Sequence, residues 1–306
     1  MRDFRFSSNI FGITSAEEFA ERCRQAEGFG YDTVFAPDHM GAPAPFPLLI
    51  AAADATERLR VGTLVLNVPW WNPALLAREI ATTDILTDGR LEVGLGAGHM
   101  KWEFDHAGIP WQPFGARADL LETAIRELER QFTADLQELP GGRSPRPVQR
   151  RGFNASGPPL IVGGTGDRIL KIAAEYADII AIAGAYQIKG KPPGTFRLGT
   201  AAEAEERIRF ARSHAGDRSA DVEWHVLIQM VVQTENRRAT AEELSEEFGP
   251  DLTVDGLLET PFLLIGTPAE MADQLLRNRD RFGFSYITVH EPYLEAFAPV
   301  IEHLRA

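Results

Sequence analysis

Short apolar runs alternate with longer amphipathic ones along the whole chain. VGTLVL, PLIV and DIIAIA are continuously apolar, which suits strands covered on both faces of a parallel sheet. Eight segments read as strands: 4–10, 33–36, 60–68, 91–95, 159–162, 178–183, 222–232 and 286–290. Helical periodicity fills the gaps at 16–29, 47–56, 73–86, 115–132, 167–176, 201–214, 268–282 and 294–304. In the first helix Phe19, Cys23 and Ala26 share one stripe, so Cys23 reads as core. Start signals agree: Thr14-Ser15 precedes Glu17 and Glu18, while Asn72-Pro73 and Thr267-Pro268 place an N-cap before a first-turn proline. Eight strand-plus-helix units favour a closed (β/α)₈ TIM barrel over an open sheet.

Two segments exceed a minimal barrel. Residues near 133–158 are rich in Gly, Pro and Arg, and 234–264 carries the acidic AEELSEEF and a further apolar run, PFLLI. Both read as loop insertions on one barrel domain spanning 1–306, with no internal repeat or linker.

The composition narrows the function. Lys plus Arg is 31 against 44 Asp plus Glu, a net charge of −13, which argues against nucleic-acid binding. No window approaches the roughly 18 apolar residues of a membrane span, and the N-terminus lacks the apolar segment of a signal peptide. A lone cysteine fits a reducing cytoplasm.

Candidate chemistry gathers at predicted strand ends, where a barrel keeps its active site. Asp38 and His39 follow the second strand; His39 is a candidate acid or hydrogen-bond donor, against the alternative of a plain surface histidine. Trp70 and Trp71 follow the third and are candidate walls of a substrate pocket, or loop packing. Gly94, Gly96, Gly98 and His99 follow the fourth. Gly163, Gly164, Thr165 and Gly166 follow the fifth and open a helix, a turn suited to an anion or simply a tight turn. Neither glycine cluster matches G-x-G-x-x-G, which disfavours a nicotinamide-binding fold. His99, Glu103 and His106 fall on one helical face but match no metal-binding spacing, so no metal is expected and a pocket rim fits better. Two basic loops could receive an acidic cofactor tail: Arg143, Arg146, Arg150 and Arg151 in the first insertion, and Lys189, Lys191 and Arg197 after the sixth strand.

PDH at the second strand end, GTLVL followed by WWNPALLAREIAT, GRLEVGLGAGH, and PPLIVGGTGDRILKIAAEYADIIAIA together resemble the bacterial luciferase-like flavin and deazaflavin oxidoreductase family over nearly the whole chain. Within it the chain is most similar to the branch using coenzyme F420, a 5-deazaflavin. The resemblance implies a (β/α)₈ barrel, usually a homodimer, that binds the ring in its mouth and acts on a small-molecule substrate. It makes Asp38 and His39 the pair beside the reactive ring, Thr63, Leu64 and Val65 a bulge behind it, and Ala97, Gly98 and His99 the loop at its pyrimidine edge. Gly163, Gly164 and Thr165 match the phosphate turn. A glutamate proposed as proton donor in the sugar-phosphate dehydrogenases is His99 here, which argues against that substrate. The implied reaction is hydride transfer at C5 of F420. FMN, with monooxygenase chemistry, is the alternative, and a non-catalytic cofactor carrier is the third possibility. Alignment with the family bulge also implies a non-prolyl cis peptide between Leu64 and Val65.

Overall fold

The computed structural model describes residues 2–134, 145–248 and 252–306. Arg143 and much of the first insertion lie outside them. Chain order begins β1 (Arg5–Asn9), α1 (Ala16–Gly28), β2 (Thr33–Ala36), α2 (Pro45–Asp54), β3 (Arg60–Thr63) and β4 (Leu66–Asn67). Next come α3 (Pro73–Leu86), β5 (Leu91–Gly96), α4 (Lys101–Ala107), α5 (Phe114–Thr133), β6 (Leu160–Gly163), α6 (Asp167–Tyr176) and β7 (Ile179–Ile182). The antiparallel hairpin β8 (Ala185–Gln187) and β9 (Phe196–Leu198) follows, then α7 (Ala201–Ala215), β10 (Glu223–Ile228), β11 (Met230–Gln233), α8 (Arg237–Phe248) and α9 (Val254–Glu259). The chain closes with β12 (Leu263–Gly266), α10 (Pro268–Phe282), β13 (Phe284–His290) and α11 (Leu294–Arg305).

Strands run parallel around a closed barrel in the order β1, β2, β3 with β4, β5, β6, β7, β10, β13 and back to β1. This is the expected (β/α)₈ barrel. The helices start where the sequence signals them. Ser15 accepts from the Glu18 N–H, Asn72 caps α3, and Thr200 with Glu203 and Thr267 with Glu270 form capping boxes on α7 and α10. Cys23 is buried, and desolvation pushes its thiol up to about 12, so it stays an inert core residue. No helix among the described residues is long and apolar enough to cross a membrane.

Two expected strands are interrupted. Residues 60–68 break between β3 and β4 at the Leu64–Val65 peptide, which is cis as the resemblance implies. Residues 222–232 break at Gln229. Pairing with β13 ends at Ile228, so the apolar continuation needs another partner, and β11 pairs in parallel with β12 from the PFLLI run. The second insertion is therefore a small parallel pair with α8 and α9 rather than a loop. Sequence periodicity also misses α4 and the β8–β9 hairpin, which are short.

Alternation decides what fills the lumen. Arg5, Ser7 and Asn9 point inward from β1, beside Tyr286, Thr288 and His290 of β13, their register partners. At the N-terminal end Glu92 forms an ion pair with Arg5, accepts from Arg60 Nε at 2.6 Å and accepts from the Tyr286 hydroxyl at 2.9 Å. Arg5 also bonds Glu223 at 2.8 Å. Burial alone raises the Glu92 carboxyl, but Arg5 and Arg60 outweigh it and hold it below its ordinary range. Above this layer Phe35, Ile161, Ile179, Ala181 and Tyr286 pack with Leu64. His225 Nε2 lies 2.6 Å from Thr288 Oγ1, which also bonds Ser7. The barrel is thus closed from below, and only its C-terminal mouth can take a ligand.

Two described arginines of the first insertion, Arg146 and Arg150, lie at the closed end. Arg146 and Arg150 donate to nearby carbonyls, and Gln149 bonds Asp84 and the Leu91 carbonyl at the start of β5. They cannot serve a ligand in the mouth, which corrects that expectation for these two residues.

Removing the Glu92 charge leaves Arg60 without a carboxylate and Arg5 with Glu223 alone, so Glu92→Gln should lower the unfolding free energy by about 3 kcal/mol in a urea titration. An unchanged midpoint would show that the pairing contributes nothing. Desolvation pushes buried His225 down to about 3, so the fold keeps it neutral while the unfolded chain protonates it near 6.5. Its contribution of several kcal/mol is complete above pH 6.5 and lost as pH falls toward 3. His225→Gln should flatten the acid limb of a stability-versus-pH curve.

Candidate active site

In the wall of the mouth formed by β3, β4, β5 and β6, glycines stand where the chain bulges across its neighbour. A Cβ at Gly94 would collide with the Thr63 carbonyl and Val65, and one at Gly96 would meet Val65 Cγ2 at 2.7 Å. The bulge at Thr63, Leu64 and Val65 can seat only because those positions are glycine. Thr63 Oγ1 locks it, donating to the Gly94 carbonyl and accepting from the Gly94 N–H at 2.9 Å each. A Cβ at Gly163 would meet Ala181 Cβ at 3.0 Å.

Gly164 to Gly166 continue this wall into α6. Gly164 N–H donates to the Ala181 carbonyl at 3.1 Å, and a Cβ there would meet Ile169 Cγ2 at 2.9 Å. Gly166 is the N-cap, with no side-chain cap over the first-turn N–H groups. Those donors face the mouth and suit an anion. Asp167 would oppose an anion, but Arg207 pairs with its carboxylate and also donates to the Thr165 carbonyl at 3.3 Å.

His39 stands at the end of β2, one third exposed, with Nδ1 2.7 Å from Glu103 Oε1. Glu103 is 1% exposed and its other oxygen has no partner. The sequence pattern had placed Glu103 between His99 and His106 on one helix, but α4 begins at Lys101, so His99 lies off that helix. What singles Glu103 out is its burial against His39, 64 residues away in sequence, a distance no local pattern spans. The carboxylate assigns the proton to Nδ1 and leaves Nε2 free for the mouth.

His99 sits beside this pair, its ring 5.4 Å from that of His39 and 5.6 Å from Phe196 of the hairpin. Desolvation, with His39 and Arg117 adding like charge, pushes His99 down to about 4. The residue is exposed, so solvent screens much of that push. Gly98 adopts φ 77, and a Cβ there would strike Phe104 at 2.7 Å, so the Ala97–Gly98–His99 turn is tied to α4.

Asp38 is buried. Its carboxylate accepts from the Asn67 N–H at 2.9 Å and Trp71 Nε1 at 3.0 Å, while Asn67 Nδ2 donates to its carbonyl. It fixes β4 and the following loop rather than a reacting atom. The tryptophans likewise pack onto the protein: Trp71 meets Phe46 edge-on at 5.5 Å, and Trp70 meets Phe104 at 5.7 Å. Packing, the second of the two readings offered for the pair, accounts for both contacts. Lys189 and Lys191 are exposed at the tip of the β8–β9 hairpin, which rests on the His99 loop through Phe196 and Gly194. Arg197 is paired with Glu203.

Glu103→Gln should keep His39 in place while weakening its hold on the Nδ1 proton. We expect turnover to fall by about 10–100-fold with ligand affinity and melting temperature nearly unchanged. A pH–rate profile identical to that of the unmodified protein would sink the assignment.

A family model described as luciferase-like monooxygenase matches residues 5–285. The chain is 33% identical over 141 residues to a protein of Amycolatopsis mediterranei named F420-dependent glucose-6-phosphate dehydrogenase, spanning 43% of this chain and 41% of that relative. A protein of the same name from Intrasporangium calvum is 26% identical over 319 residues, 91% of each chain. The solved coenzyme F420-dependent tetrahydromethanopterin reductase of Methanopyrus kandleri superposes with a TM-score of 0.71 and 16% identity, over 99% of this chain and 100% of that one, a likeness of fold. The family match runs from the first barrel strand into the last, across a barrel whose mouth carries the glycine wall and the bulge, and the chain belongs to the luciferase-like monooxygenase family.

Proposed function

We propose that the protein is an F420-dependent oxidoreductase that moves a hydride between the deazaflavin and a carbon of a small organic substrate. The observation that carries this reading is the His39–Glu103 pair beside the wall that carries the Leu64–Val65 bulge. The F420-dependent relatives support the choice of ring. The residues fit such a cofactor. Gly94 and Gly96 let the Leu64–Val65 bulge seat against β5, and a ring would lie over that bulge. The uncapped turn at Gly164, Thr165 and Gly166 can hold a phosphate, and Lys189 and Lys191 can meet an acidic tail.

When bound, the deazaflavin supplies C5 as acceptor or donor of the hydride. The protein positions the ring and handles the proton. In the oxidising direction His39 Nε2 takes the substrate's hydroxyl proton as its carbon gives up the hydride; in the reducing direction the same nitrogen returns it. Glu103 holds the imidazole and stabilises the cation formed. Asp38 acts at one remove, by fixing the loop that follows His39. The resemblance also implies a homodimer, and Leu75, Ile85 and Leu86 leave apolar surface on α3 for a second copy.

FMN remains the second reading, favoured by the family's monooxygenase description. It has a ring and a phosphate but no acidic tail, so the two lysines discriminate. Titration of the apo-protein, followed by ring fluorescence, should give tighter binding of F420 than of FMN. Lys189→Glu with Lys191→Glu should remove most of that preference, at about 0.2–1 kcal/mol per contact. Equal affinity for FMN, with oxygen consumed on reduction, would overturn the proposal. His39→Ala should bind cofactor normally and lose about 10²–10⁴-fold in turnover, whereas Gly164→Val should lose cofactor affinity. A carrier without catalysis would show binding and no turnover with any substrate.

A further inference from the structure

The mouth has a second wall that the cofactor reading does not use. In the order of the barrel strands, β13 lies opposite β5 and β1 lies opposite β6. At their C-terminal ends Asn9 and His290 are register partners on the lumen side. Asn9 is 2% exposed, yet its Oδ1 has no hydrogen-bond partner. Buried amides are normally satisfied, so an orphan at a ligand mouth points to a partner that arrives with the ligand. Just above it the loop after β1 exposes two apolar side chains, Phe11 at 39% and Ile13 at 55%. The Phe11 ring lies 5.6 Å from that of His290.

Charge is distributed unevenly around this rim. The loops after β1, β2, β4 and β13 carry no Lys or Arg. The hairpin cations stand after β7, next to the phosphate turn of β6. On the second wall the nearest charge is Glu291, which accepts from the Phe11 N–H at 2.9 Å. Arg22, from α1, is committed to Glu291 and Glu18. His290 is held toward its neutral form by burial. A phosphorylated or carboxylated substrate would therefore lose its hydration here with no uncommitted cation to receive it.

We propose that the β1–β13 wall is the substrate subsite and that it takes an uncharged substrate, an alcohol or carbonyl compound with an apolar body, whose oxygen is held by the Asn9 amide. The amide serves both redox states, since its oxygen accepts from a hydroxyl and its NH₂ donates to a carbonyl. Phe11 and Ile13 cover the apolar part. This rests on the oxidoreductase reading of the same mouth and adds the class of substrate.

The test loads the protein with whichever of F420 and FMN it binds, then measures calorimetric binding of four probes: cyclohexanol, cyclohexanone, cyclohexyl phosphate and cyclohexanecarboxylate. The two uncharged probes should bind at least about tenfold more tightly than the two anions. Asn9→Leu should weaken the uncharged probes by about tenfold while leaving cofactor affinity unchanged and the melting temperature unchanged or raised, because it removes an unsatisfied group. Phe11→Ala, at an exposed position, should weaken them by about threefold. Anions binding as tightly as the neutral probes, or an Asn9→Leu protein that binds them normally, would overturn the subsite while leaving the cofactor assignment intact. Failure to bind either ring would overturn both.

Discussion

Glu92 is the residue on which the rest of the barrel depends. A carboxylate at 1% exposure would be untenable alone, and Arg5, Arg60 and the Tyr286 hydroxyl together keep it ionised. The cluster draws its members from β1, β3, β5, β10 and β13, so it ties distant strands across the lumen. It also closes the barrel from below. With Phe35, Ile161 and Ile179 stacked above it, no ligand can enter deeply, and all chemistry is confined to the strand ends.

At that mouth the two sides have opposite character. On one, glycines let the chain bulge at Leu64–Val65. On the other, Asn9, Phe11 and His290 present polar and apolar groups to whatever lies across from the ring. His39 stands at the rim, fixed from behind by a buried glutamate. On the proposed reading a flat cofactor and a small substrate would have separate walls, with His39 beside them to handle the proton. The cations follow the same division, gathered where a phosphate and an acidic tail would lie.

The contrast between Asp38 and Glu103 shows how burial reassigns roles. Both are buried carboxylates near His39. Asp38 spends one oxygen, Oδ2, on both the Asn67 N–H and Trp71 Nε1 and so stiffens a loop. Glu103 spends one on His39 and leaves the other unpaired. Adjacency in the chain made Asp38 look like the partner of His39. The helix that α4 forms brings the actual partner from 64 residues away.

By itself the sequence determined the barrel, because continuous apolar runs, capping residues and proline positions are local signals that repeat eight times. It also placed the glycine turns and the Asp38–His39 pair at strand ends, where a barrel keeps its active site, but left His39 open between a proton carrier and a plain surface histidine until the resemblance gave it a role. The bulge came from resemblance, for nothing in Leu64 or Val65 requires it. Tertiary structure alone decided the rest. The overhang of the seventh barrel strand left the sheet because closure had used up its partners, and β12 was available to it. Arg146 and Arg150 fell at the closed end because their segment leads into the start of β6. Trp70 and Trp71 turned onto Phe104 and Phe46, Glu103 came to lie beneath His39, and Asn9 was left with an unsatisfied oxygen. Each of these depends on which groups meet across the barrel and on how much water remains between them, and neither quantity is written in any local stretch of chain.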